Sequence, residues 1–338
     1  MALTNIQKQR YSRQIVLKEI GISGQKALST AHVTIVGAGA LGSTSAEILL
    51  RAGVTNLTVI DRDIVELSNL QRQSLYTQND VGKDKVIALK NHLIKINSLA
   101  KSTIIIPPNH LYKENIEDLI PKNTNLILDC TDNLQTRFLL DIFRQTVNKK
   151  KVIPWVFTSA IQTSGQISLI TKKEISLESF LPKNAQGQTC SQVGVLGSTT
   201  HIIASYATNL AILFLTNNHK NLENKLISID TFNFSQRIFT LKELPKDNNN
   251  SNPRILEYPK EPRVSKFCQG FFQVLPAKKS DIDLKKMARL LADLTGSSNS
   301  SPLSIKIDGH RIFKDARALI KAKTKKDAIS IYSKLVGN

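Results

Sequence analysis

The near-continuous apolar stretch His32-Val33-Thr34-Ile35-Val36 runs straight into Gly37-Ala38-Gly39-Ala40-Leu41-Gly42, and a helical pattern follows over 40–53. A strand apolar on both faces belongs inside a parallel sheet covered by helices. The glycines let the backbone turn sharply and let phosphate approach the free amides at a helix N-terminus. The next apolar stretch, 56–61, ends in Asp61, where a carboxylate can bind ribose hydroxyls. This much implies a nucleotide and leaves open whether it is NAD or ATP.

The same alternation continues and predicts a doubly wound α/β sheet. A helix is expected over 82–97, a strand over 102–106, a short helix over 113–119, a strand over 125–130 and a helix over 134–148. Strands follow at 152–158 and 166–171, and a polar stretch runs from Lys172 to Ser191. A long apolar helix is expected over 193–216, with strands at 225–231 and 235–241. Residues 243–268, rich in Pro and Asn, read as a linker between a first domain of residues 1–242 and a second of 269–338. The second domain reads as a β-α-β-β-α-β open-faced sandwich. Its strands fall at 271–275, at 303–307 and 310–313 around Asp308-Gly309, and at 328–333, with helices at 281–294 and 315–322.

Composition narrows the class. With 338 residues, 41% of them hydrophobic, the chain can bury one large core and a smaller one. The N-terminus carries no apolar signal region and no apolar run spans a bilayer, so a cytoplasmic protein without membrane contact is expected. Three cysteines, Cys130, Cys190 and Cys268, contain no CxxC pair, which argues against a disulfide framework and a four-cysteine zinc site. The net charge of +19 is spread over dispersed lysines without interleaved aromatics, which suits steering of an acidic partner better than nucleic-acid binding. A tRNA partner stays open on charge alone.

A second motif follows the glycine loop. Asp61-Arg62-Asp63-Ile64-Val65 leads to Leu67-Ser68-Asn69-Leu70-Gln71-Arg72-Gln73 and then to Val81-Gly82-Lys83-Asp84-Lys85. A dehydrogenase has no use for this cluster of Asn, Arg and Lys. Attack of a carboxylate on an α-phosphate brings two anions together, and Arg72 and Lys85 are suited to neutralising them, with Mg²⁺ completing the charge balance. Asp132, in Leu128-Asp129-Cys130-Thr131-Asp132-Asn133 at a strand end, could hold that ion. Asp132 or Asn133 is also the expected N-cap of the helix 134–148. Cys130, on an apolar strand, reads as a core residue.

These motifs, with Arg10–Gly21, Ser164-Gly165-Gln166, Thr189-Cys190-Ser191 and Gly194-Val195-Leu196-Gly197, resemble the MoeB/ThiF/HesA ubiquitin-activating-like family over residues 7–242. The resemblance implies ATP-dependent adenylation of the terminal glycine of a ubiquitin-like or sulfur-carrier protein ending in Gly-Gly, by a Rossmann-like homodimer. Carried over by position, it implies ATP and Mg²⁺ contacts at Gly37, Gly39, Gly42, Asp61, Asp63, Asn69, Arg72, Lys85, Asp132 and Asn133. Asp61 would hold the ribose, Asn69 and Arg72 the phosphates, Asp132 the Mg²⁺, and Lys85 would stabilise the transition state. Arg13 matches an arginine finger that reaches the partner's site, and Cys190 matches a cysteine that takes the acyl group in some members. The family's zinc cysteines are replaced by Ser179-Phe180-Leu181-Pro182 and Lys246-Asp247-Asn248-Asn249, so no zinc is expected.

The C-terminal residues resemble the HPr phosphocarrier family through Ala288–Leu294, Ile305–Gly309, Asp315–Leu319 and Asp327–Ile331. The phosphohistidine position reads Ser280-Asp281-Ile282-Asp283, and Ala318 stands at the regulatory serine position, which favours docking or a structural role over phosphoryl transfer. The competing readings are an NAD-dependent oxidoreductase, carried by the glycine loop, a non-catalytic nucleotide-binding scaffold and a tRNA-modifying dehydratase.

Overall fold

The computed structural model describes residues 3–99, 111–148, 152–181, 193–243, 263–266, 270–276, 282–284, 286–288, 299–300 and 304–336. The expected strand at 102–106, Cys190 and Cys268 lie outside them. The chain divides into two compact units, Met1–Leu256 and Glu257–Asn338.

The first unit opens with the helices α1 (Asn5–Arg10), α2 (Ser12–Ile15) and α3 (Gly21–Thr30). Strand β1 (His32–Val36), helix α4 (Ala40–Ala52) and strand β2 (Asn56–Ile60) then form the first crossover unit. Helices α5 (Lys85–Ile96) and α6 (Ile116–Leu119) precede β3 (Leu126–Asp129), α7 (Leu134–Thr146) and β4 (Trp155–Ile161). Strand β5 (Ser164–Ile170), helix α8 (Gly197–Leu215) and strands β6 (Lys225–Asp230) and β7 (Ser235–Thr240) complete the unit. The seven strands are ordered β2-β1-β3-β4-β5-β6-β7. The first four are parallel and the rest antiparallel.

Every residue of β1 and β3 is buried, as a parallel strand covered on both faces must be. The register aligns Val36 with Ile60 and with Asp129, so Gly37, Asp61 and Cys130 leave the sheet along one edge. The chain enters β1, one strand in from the β2 edge of the sheet, and passes to β2 on one side and β3 on the other. The crevice this reversal opens at the C-terminal strand ends is where open α/β sheets bind ligands. Helix α8 buries Thr200, Ile203, Ala204, Ala207, Thr208 and Ala211, a helical stripe that packs on α4, β4 and β5. Among the described residues no helix is long and apolar enough to cross a membrane.

The second unit is a six-stranded antiparallel sheet of β8 (Arg263–Lys266), β9 (Phe271–Leu275), β10 (Asn299–Ser300), β11 (Ser304–Ile307), β12 (His310–Phe313) and β13 (Ala318–Lys321). Its strand order is β10-β11-β12-β13-β9-β8, and helix α9 (Lys325–Val336) packs on it. The hairpin between β11 and β12 turns at Asp308 and Gly309, both at positive φ, as the Asp-Gly pair demands.

Three expectations fail here. Residues 315–322 were expected to be helical, yet Ala318–Lys321 is an internal strand paired with β12 and β9. Pairing on both sides outweighs the helix propensity of Ala-Arg-Ala-Leu. Residues 328–333 were expected to be a strand but lie in α9, where Ala328 and Tyr332, one helical turn apart, enter the core. The expected linker 243–268 contains strand β8. The order of elements therefore departs from the β-α-β-β-α-β pattern expected from the sequence.

Candidate functional site

The glycine loop is built by close approach. The Gly37 amide donates to the Ile60 carbonyl at 2.8 Å, and its φ of +98° suits glycine. A Cβ on Gly37 would stand 2.6 Å from the Cys130 carbonyl oxygen, and one on Gly42 only 1.8 Å from the Gly37 carbonyl oxygen. Gly39 differs: the nearest atom to its would-be Cβ is Gln73 Nε2, 3.7 Å away, so backbone and ligand can meet there. Gly39 is the N-cap of α4 and offers no side-chain cap, which leaves the first amides of a 13-residue helix for an anion.

Asp61 ties this loop to the end of β2. Its Oδ2 accepts from the Ala38 amide and its Oδ1 from the Asp63 amide, each at 2.6 Å. Burial raises the Asp61 pKa, against the opposing pull of Lys85. A short ladder brings Lys85 back to the same place. The Val65 amide donates to the Lys83 carbonyl at 2.8 Å and the Lys85 amide to the Asp63 carbonyl at 2.9 Å. Lys85 Nζ then lies 3.2 Å from Asp63 Oδ2. Burial works against the Lys85 charge, but the carboxylates of Asp63, Asp61 and Asp132 raise its pKa above the ordinary lysine range. The turn before Lys85 hangs on buried Asp80. That carboxylate accepts from the Thr77 amide at 2.9 Å, the Thr77 hydroxyl at 2.8 Å and Lys83 Nζ at 3.2 Å, and meets His92 Nε2 at 2.7 Å.

The segment after β2 turns beside the glycine loop. Asn69 is buried and its Oδ1 accepts from the Glu66 amide at 3.0 Å; half-buried Arg72 donates from Nη1 to the Ser68 carbonyl at 3.0 Å. Two further residues matter here that the sequence did not single out. Gln73 is buried against the loop, its Oε1 without a hydrogen-bond partner among the described residues, and the Tyr76 hydroxyl donates to the Ala38 carbonyl at 2.7 Å. The only available signal was an inward spacing of three residues in a polar stretch, and a surface turn gives the same spacing.

On the third strand, Asn133 is the cap: its Oδ1 accepts from the Thr136 amide at 2.9 Å. Asp132 is exposed, with no hydrogen-bond partner among the described residues, and its charge is felt by Lys85. Cys130 packs in the main core, where burial pushes its thiol pKa up and leaves it a poor nucleophile. Arg13 is exposed on α2, without a hydrogen-bond or ion-pair partner among the described residues. The structure thus gathers Gly37, Gly39, Gly42, Asp61, Asp63, Lys85 and Asp132 at one strand edge, sets the turn with Asn69 and Arg72 beside them, and leaves Arg13 apart.

A phosphate-receptive helix end, a carboxylate at the second strand and a buried, charged lysine between them define an α/β nucleotide-binding enzyme. Comparison with known proteins specifies which. The ThiF family matches residues 11–252, and the chain belongs to that family. The sulfur carrier protein ThiS adenylyltransferase of Bacillus subtilis is 32% identical over 97% of this chain and 99% of its own length. The molybdopterin-synthase adenylyltransferase of Escherichia coli is 34% identical over 70% of this chain and 93% of its own length. Among solved structures, E. coli MccB superposes with a TM-score of 0.61 at 20% identity, covering 74% of each chain, a likeness of fold. The chain is an adenylyltransferase of the ThiF/MoeB type, and the oxidoreductase and scaffold readings fall away.

Proposed function

We propose that this enzyme uses ATP and Mg²⁺ to adenylate the C-terminal glycine carboxylate of a small ubiquitin-like or sulfur-carrier protein. A carboxylate oxygen bonds to the α-phosphorus, the bond from that phosphorus to the bridging oxygen breaks, and pyrophosphate leaves. The observation that carries the reading is the Lys85 ammonium, kept charged by Asp63 and Asp61 beside the open backbone at Gly39. A buried cation aimed at developing phosphate charge is the main requirement of such a reaction. The names of the two adenylyltransferase relatives support a carrier protein as substrate.

The chain's residues fit the triphosphate and its metal. Gly39 is the uncapped start of α4, and Gln73 Nε2, an amide donor, lies nearest the position that Gly39 leaves open. Asp61 retains lone pairs for ribose hydroxyls, and Asn69 and Arg72 stand in the adjoining turn for phosphate oxygens. Asp132 offers a hard oxygen, without a hydrogen-bond partner among the described residues, of the kind Mg²⁺ takes, and the ion would draw charge from the phosphates. Asn133 helps by fixing the backbone there.

Arg13 fits a homodimer in which it completes the partner's site. Around it on the N-terminal helices, Ile6, Val16, Leu17 and Ile22 are between 52 and 75% exposed, an apolar surface a second copy would cover. The charge of +19 suits an acidic carrier. Cys190 would take the acyl group after adenylation, and the site of action is the cytoplasm. The test is exchange of labelled pyrophosphate into ATP, expected only with a Gly-Gly-ended carrier and lost in Asp132→Ala. Absence of exchange with every such carrier refutes the reading. Retained exchange with no thioester in Cys190→Ala would assign the second step.

A further inference from the structure

Between the glycine loop and Asp132 lies a buried charge pair that the reaction as described does not use. Asp129, the last residue of β3, is fully buried, and Arg137 on α7 is 7% exposed. Their direct contact is poor: Arg137 Nε stands 3.9 Å from Asp129 Oδ2, and neither atom meets the geometry of a hydrogen bond with any partner among the described residues. Their good bonds go elsewhere. Arg137 Nη2 donates to the Thr131 carbonyl at 2.5 Å and to the Thr158 carbonyl at 2.9 Å, and the guanidinium lies 4.8 Å from the centre of the Phe157 ring. Asp129 Oδ1 accepts from the Thr131 amide at 3.0 Å and the Thr131 hydroxyl at 2.7 Å. The Thr158 hydroxyl donates to the Asp129 carbonyl at 2.6 Å.

A pair that served stability alone would close on itself, and even then an apolar pair of similar volume commonly does as well. This one holds Thr131 by amide, carbonyl and hydroxyl, and ties that residue across to Thr158 in the middle of β4. On the other side of Asp132, Asn133 is fixed as the cap of α7. Asp132 is therefore gripped through the backbone on both flanks while its own carboxylate stays exposed and unpartnered among the described residues. We propose that Asp129 and Arg137 are positioning residues, a clamp on Thr131 that aims the Asp132 carboxylate at the metal–nucleotide complex. The proposal rests on the reading of Asp132 as the metal-binding group.

The test is calorimetric titration of the full chain with ATP, with and without Mg²⁺, for wild type, Arg137→Lys, Thr131→Val and Asp132→Asn. Lysine keeps the charge, but its ammonium stops one bond short of Nη2, the atom from which both carbonyls are reached. Arg137→Lys should weaken binding about tenfold or more when Mg²⁺ is present, the usual loss when an outer-shell partner is removed, and leave metal-free binding unchanged. Thr131→Val, which spares the charge pair, should shift the same measurement the same way by less. The double variant Arg137→Lys/Asp132→Asn should bind no more weakly than Asp132→Asn alone. An equal loss with and without Mg²⁺, no loss at all, or losses that multiply would overturn the clamp. If Asp132→Asn binds Mg²⁺-ATP as wild type does, the metal reading fails instead. Amide exchange at 131–133 in the nucleotide-free protein then decides the clamp: faster in Arg137→Lys supports it, unchanged overturns it.

Discussion

The parallel half of the first unit and the antiparallel second unit are both sheets carrying helices, yet only one gathers polar residues at a single edge. In β1, β2 and β3 every strand leaves the sheet in the same direction, so Gly37, Asp61 and Cys130 emerge side by side. In the second unit each hairpin reverses the chain, and residues that follow strand ends alternate between opposite edges. Parallel topology concentrates loops where chemistry can be assembled; antiparallel topology spreads them. Substitutions at the parallel edge should therefore reach activity, through stability or directly, and those in the second unit stability alone.

Gly42→Ala should produce the largest effect, because its Cβ would stand 1.8 Å from the Gly37 carbonyl oxygen, backbone that cannot step aside. A loss of at least about 4 kcal/mol is expected, the range of severe steric lesions, read as a lower denaturation midpoint in urea. Near-wild-type stability would show the loop to be softer than its packing. Lys85→Gln should leave folding intact and lower the rate of pyrophosphate exchange about 10²–10³-fold, as loss of one preorganised donor does. If the loss falls on KM and spares kcat, Lys85 binds the ground state and the transition state equally well.

Asp80→Asn tests the support beneath Lys85 through pH. Four hydrogen bonds, one of them to His92, outweigh the cost of burial and hold the Asp80 carboxyl well below the usual carboxylate range. A depressed folded pKa contributes stability that is present above the unfolded value of about 3.9 and is lost as pH falls below it. Wild type should exceed Asp80→Asn by about 2 kcal/mol at neutral pH, a typical value for a charged hydrogen bond, and the gap should narrow below about pH 4. A gap independent of pH would remove the carboxylate charge from the explanation.

The two regions also differed in how much the sequence disclosed. The glycine loop, Asp61 at a strand end and the Asn133 cap are local devices whose meaning lies within a few residues, and they were legible. Tyr76 and Arg137 reach carbonyls distant in sequence, and Gln73 and Asp129 matter only for what the fold brings beside them, so nothing in their own neighbourhood sets them apart. In the second unit, Ala318–Lys321 became a strand only because two others flank it. The helix that follows did carry a local signal. Thr324 Oγ1 accepts from the Asp327 amide at 3.1 Å, and Asp327 Oδ2 accepts from the Thr324 amide at 3.2 Å. That reciprocal cap, spaced three residues apart, marks a helix start that the alternating Ile329 and Ile331 obscured.

Tyr332→Phe probes that second unit with the smallest expected effect. The Tyr332 hydroxyl donates to the Ala316 carbonyl at 2.8 Å, and the ring is buried with Ala328, Ile312 and Ile320. Removing the hydroxyl leaves the packing and orphans one carbonyl, at a cost of about 1 kcal/mol. Because the second unit has its own core, the loss should appear in its unfolding and leave the exchange rate of the first unit unchanged. Exchange that fell with Tyr332→Phe while the protein remained folded would mean that the second unit's packing reaches the catalytic edge. The division of labour between the two sheets would then be one of degree.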